Sequence, residues 1–122
     1  MPEPGASPTP TQGLRILIVD DDYTTRRVLE ELLLDEGFLV ASCDCGAAAL
    51  VLLRASRYDV LLTDLIMPGM SGLELWSAAR TLGQPLRCVV MSGHPPLDGV
   101  PADVAWVSKP IDVGALLAEL TV

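Results

Sequence analysis

Short apolar runs alternate along this chain with stretches of helical periodicity. Residues 14–19, "LRILIV", read as a strand. Over 23–36 the period changes: Thr25, Val28, Leu29, Leu32 and Leu33 share one helical face, with Arg26, Arg27, Glu30, Glu31 and Asp35 outside. Gly37 is the candidate C-cap. A strand follows over 38–42, a helix over 46–56, and a continuous apolar strand over 59–63, "DVLLT". "LIMPGMSG" is a loop, because Pro and two Gly break both periods, and Ser71 caps a helix over 72–82 with Glu74 in its first turn. Strands are expected over 86–91 and 104–107, and a last helix over 112–120 with Val113, Leu116, Leu117 and Leu120 facing inward. Between those two strands stand Pro95, Pro96 and Pro101, so the helix that alternation would put there is shortened or absent. Apolar strands separated by helices imply an α/β fold: a doubly wound, five-stranded parallel sheet covered on both faces.

Residues 1–13, "MPEPGASPTPTQG", have no apolar periodicity and read as a flexible leader, leaving 14–122 as one domain. Half of the 122 residues are apolar and a fifth charged, which suits a single globular core. The net charge of −8 repels phosphate backbones, so no direct binding of nucleic acid is expected. No apolar run has the length of a membrane span and no signal peptide opens the chain, so a cytoplasmic protein without membrane insertion is expected. Cys43, Cys45 and Cys88 form no CxxC pair and read as half-buried thiols.

The chemistry concentrates where the strands end. "ILIVDDDYTT" runs a buried strand into Asp20, Asp21 and Asp22, and adjacent carboxylates at a strand end need a cation. The third strand delivers Asp64, the fourth Ser92, and Lys109 lies just beyond the fifth. In a parallel α/β sheet the carboxyl ends of the strands form one reactive rim. Carboxylates from two strands can hold Mg²⁺, a hard cation that takes oxygen ligands. With Lys109 it can neutralise a phosphoryl group in transfer, and Asp64, alone at its strand end, suits the nucleophile. Asp22 reads as an exposed carboxylate or helix N-cap.

At these residues the sequence resembles the receiver domains of two-component response regulators. "ILIVDDD", "DVLLTDLIMPGMSGLEL", "VVMSG" and "SKP" carry the resemblance, in that family's order. It implies the flavodoxin-like strand order 2-1-3-4-5. It also implies that Asp64 accepts phosphate from the phosphohistidine of a histidine kinase or histidine phosphotransfer domain. Asp20, Asp21 and Asp64 would hold Mg²⁺ together with the backbone carbonyl of Ile66. Ser92 and Lys109 would engage the phosphoryl oxygens, and the Lys109-Pro110 bond would be cis. Trp106 takes the place of a switch aromatic, with a plainly packed indole as the alternative. Ile66 and His94, each two residues beyond a site residue, would set the rate of autodephosphorylation, or His94 is a bystander in an exposed loop.

The chain also departs from that pattern. The segment between Ser92 and Lys109 is shorter and proline-rich, so the helix used for output and dimerisation is reduced and a monomer is expected. The leader and this short segment resemble receivers at the C-termini of hybrid sensor kinases. The helix "GAAALVLLRAS" is apolar nearly all round, a candidate partner contact. Two other readings stay open. "DDDYT" fits the DxDxT pattern of haloacid-dehalogenase-like phosphatases, with Asp20 as nucleophile and Asp22 as acid/base, though it leaves Asp64 unused. A pseudo-receiver would keep the fold as an interaction module without phosphorylation.

Overall fold

Strand β1 (Arg15–Val19) is apolar on both faces and occupies the interior of the sheet, between β2 (Leu39–Cys43) and β3 (Val60–Asp64). The computed structural model describes residues 13–96 and 99–120. Beyond β3 lie β4 (Arg87–Ser92) and β5 (Val104–Ser108), so the five strands stand in the order β2-β1-β3-β4-β5, all parallel. The leader expected over 1–13 falls, Gly13 apart, outside the described residues.

Helices α1 (Tyr23–Asp35), α2 (Gly46–Ala55), α3 (Gly72–Arg80) and α4 (Val113–Leu120) cover the two faces. Alternate strand residues feed two cores. Leu17, Leu61 and Val90 pack with Leu53, Leu75 and Trp76 of α2 and α3. Ile18, Leu62 and Val89 pack with Leu29, Leu33 and Leu116 of α1 and α4. This is why the inner strands read as continuous apolar runs.

Local signals set the helix ends. α1 stops at Glu36, and Gly37 follows at φ 96°, donating to Leu34 O while Phe38 N donates to Leu33 O. That is a Schellman closure, and glycine is needed for its left-handed residue. Phe38, expected in β2, instead follows this turn as a buried core residue, and β2 begins at Leu39. At α3 the Ser71 and Glu74 side chains form a reciprocal capping box.

Two further expectations need correction. Val28 and Val113, assigned to inward faces, are 57% and 40% exposed; they line a shallow apolar groove with Leu32 and Ile111 between α1 and α4. Arg26, assigned to the outer face of α1, is half-buried. Between β4 and β5 no helix occurs among the described residues, and Val100 and Trp106 pack against the core on that side. That missing helix is the outcome expected from Pro95, Pro96 and Pro101.

Cys88, fully buried in β4, has its thiol pushed up to about 12 by burial, and burial likewise raises Cys43 to about 11. A thiol ionises in the unfolded chain near pH 8.5. From there to about pH 12 the native state therefore holds more protons, so stability falls as pH rises. Cys88→Ala, although less stable at pH 7, should lose stability more slowly above pH 9, by up to ~1.4 kcal/mol per pH unit. Urea unfolding at pH 8 and 10.5 measures the difference, and equal slopes would contradict it.

Candidate functional site

The carboxyl ends of β1, β3 and β4 meet at one rim, and the expected acids meet there too. Asp20, Asp21 and Asp64 each place a carboxylate oxygen within 4.8 Å of the others. Asp20 is fully buried, Asp64 partly, and Asp21 is exposed. Lys109 enters from beyond β5, its amide donating to Ser92 O at 2.8 Å. Its ammonium lies 3.2 Å from Asp64 Oδ1 and 3.6 Å from Asp20 Oδ2. The Lys109-Pro110 bond is cis, as the resemblance implied.

Asp20 is held on every side. Its N–H donates to Cys43 O at 3.2 Å, its carbonyl accepts from Arg26 Nη1 at 2.8 Å, and Oδ1 accepts from the Asp22 amide at 2.9 Å. Oδ2 is buried without a hydrogen-bond partner, because 3.6 Å to Lys109 is too long for one. Burial raises the Asp20 carboxyl above its ordinary value; the Asp22 amide and Lys109 oppose that shift, while Asp64 and Asp21 add to it. A buried carboxylate oxygen left open beside two further carboxylates fits a hard divalent cation such as Mg²⁺.

Asp22 turns away from this cluster. It caps α1, accepting from the Thr25 amide at 3.1 Å and from the Thr25 hydroxyl, and these bonds hold its carboxyl below its ordinary value. The phosphatase reading required Asp22 as an acid/base beside Asp20, and the cap occupies it instead.

Ser92 is buried at the end of β4, its Oγ accepting from the His94 amide at 3.0 Å. Trp106, on β5, donates from Nε1 to His94 O at 2.9 Å. The two links join Ser92 to the indole through one residue. Ile66, 64% exposed, and His94 line one depression of about 490 Å³ with Leu65, Ser71 and Leu73, beside Asp64. Arg26 is the site residue that sequence reasoning missed. Its signal was present: a cation in the first turn of a helix opposes the helix dipole and calls for a compensating partner.

A family model, the response regulator receiver domain, matches residues 16–121. The chain belongs to that family. This receiver is similar to the chemotaxis protein CheY of Pseudomonas aeruginosa, with 47% identity over 68 residues; that match covers 55% of each chain, so it spans about half of the relative's length. The response regulator receiver protein CpdR of Brucella abortus is 33% identical over 111 residues, covering 87% of this chain and 92% of that one. Among solved structures, Vibrio cholerae chemotaxis protein CheY4 has a TM-score of 0.82 at 26% identity, covering 88% of this chain and 96% of that one. The receiver thus has the fold and strand order expected of a two-component signalling domain, in keeping with a phosphoacceptor function. Among the described residues no helix is long and apolar enough to cross a membrane.

Proposed function

We propose that this receiver takes its phosphoryl group on Asp64, from the phosphohistidine of a histidine kinase or histidine phosphotransfer domain. The observation that carries the reading is the Lys109 ammonium 3.2 Å from Asp64 Oδ1, with Asp64 at the rim of the acid cluster. In the transfer an O–P bond forms at Asp64 as the donor's N–P bond breaks, and that bond's electron pair stays on the imidazole. Lys109 neutralises charge on the oxygens of the moving group. Ser92, whose Oγ already accepts from His94, keeps its hydroxyl proton to donate to one of them. Asp20, Asp21 and Asp64, with the backbone carbonyl of Ile66, would hold Mg²⁺, which when bound adds positive charge beside the phosphoryl oxygens. The assignment is tested by incubating the protein with Mg²⁺ and a small phosphodonor and reading the intact mass. One added phosphoryl group is expected, and none would sink the reading.

Autodephosphorylation is governed by Ile66 and His94 at the mouth of the site. Ile66 offers water no hydrogen bond and covers the approach to phosphorus. Ile66→Asn should hasten dephosphorylation roughly fivefold, the effect of one hydrogen bond worth about 1 kcal/mol. An unchanged rate would remove Ile66 from this role. Trp106 is the switch aromatic, coupled to Ser92 through His94. The protein acts in the cytoplasm as a monomer, since no helix between β4 and β5 offers a dimer face among the described residues. The phosphorylated sample should therefore sediment as the unphosphorylated one does.

A further inference from the structure

The acid cluster gathers three carboxylates, and among the described residues Lys109 alone forms an ion pair with them. Arg26 stands close by and does something else. From the first turn of α1 its Nη1 donates to the backbone carbonyl of Asp20 at 2.8 Å, and its guanidinium lies over the Tyr23 ring at 5.5 Å. Tyr23 is 64% exposed. An aromatic face under a guanidinium holds its plane and restricts where its donors point. The bond to Asp20 O closes the last free backbone group of Asp20, whose N–H is already taken by Cys43 O.

We propose that Arg26, seated on Tyr23, is a positioning residue for the cation site, fixing the end of β1 so that the Asp20 and Asp21 carboxylates face the bound metal. This rests on the reading of Asp20, Asp21 and Asp64 as that site. Arg26 touches neither the metal nor the phosphoryl group; it acts through the Asp20 backbone. Groups that orient metal ligands are worth about 10- to 100-fold in metal affinity.

Two explanations of Arg26 give opposite signs. A mere neighbouring positive charge repels Mg²⁺, so its removal tightens binding. A positioning residue does the reverse. Calorimetric titration with Mg²⁺ of the unphosphorylated protein should show Arg26→Met binding about tenfold more weakly than the parent, or weaker still. The Mg²⁺-induced rise in melting temperature should shrink in step. Arg26→Lys, which keeps the charge but loses the planar fork, should recover only part of the affinity. Unchanged or tighter binding by Arg26→Met, with the parent binding normally, overturns the role of Arg26 alone. Absence of Mg²⁺ binding by the parent overturns the site reading and this role with it. Should Arg26→Met fold poorly, Tyr23→Leu removes only an exposed ring. It should weaken Mg²⁺ about two- to fivefold, the worth of an exposed cation–π contact, and no change there counts against the proposal.

Discussion

Asp64→Asn should yield a folded protein that takes no phosphoryl group. An amide cannot replace the carboxylate oxygen that attacks phosphorus, so labelling by a small phosphodonor in Mg²⁺ should fall to background. The fold should survive, because Asp64 stands at the end of β3 and the cores lie below it. The variant loses its ion pair with Lys109 but also relieves repulsion from Asp20 and Asp21. These changes offset, and the melting temperature should stay within a few degrees of the parent. The comparison that decides is with Asp20→Asn. If Asp64→Asn still labels and Asp20→Asn does not, Asp20 is the nucleophile and the receiver assignment of the site is wrong.

Gly72→Ala should destabilise the fold and slow phosphorylation together. Gly72 opens α3, its amide bonded to Leu65 O at 2.8 Å, and a Cβ there would sit 2.3 Å from the backbone carbonyl oxygen of Asp64 and 3.0 Å from Thr63 Cγ2. That oxygen cannot swing aside, because it belongs to β3 and accepts the Thr63 hydroxyl at 2.9 Å. Either α3 or the end of β3 must shift. Overpacking of this kind costs about 1–3 kcal/mol, and each kcal/mol lowers the melting temperature by roughly 4 °C or more in a domain of this size. The displaced strand end carries Asp64, so phosphorylation should also drop, by as much as about 100-fold for a 1 Å misplacement. Gly46→Ala is the natural control. Its Cβ would meet Met70 Sδ at 2.6 Å, the end of a flexible side chain that can turn away. Melting curves and labelling rates on the two variants test the contrast, and a Gly72→Ala protein as stable and as reactive as the parent would refute it.

The sheet was legible in the sequence because β1, β3 and β4 are buried on both faces, and continuous apolar runs closed by a polar strand end have few other solutions. The edge strand was placed less well. β2 is largely half-buried, and its first apparent residue, Phe38, proved to follow the Schellman turn. Helical faces were read from periodicity alone, which cannot tell a core from a groove. Val28 and Val113 satisfy the period yet lie on the groove between α1 and α4. Within the site, Asp20, Asp21, Asp64 and Lys109 were readable because each ends or follows a strand. The partner of Arg26 and that of Trp106 were not, since both are backbone carbonyls, which have no identity in a sequence.

Strand order has a consequence for when the site is complete. The acids stand on β1 and β3 in the middle of the sheet, whereas Lys109 follows β5, the edge strand and the last to be made. β5 pairs with β4, and that pairing, with the Lys109 amide bonded to Ser92 O, holds Lys109 beside Asp64. A chain whose β5 is unpaired would present the carboxylates without their ammonium and, on the proposed role of Lys109, should be a poor acceptor. On the proposed assignment of Asp64, phosphorylation would therefore require a sheet paired out to its edge strand.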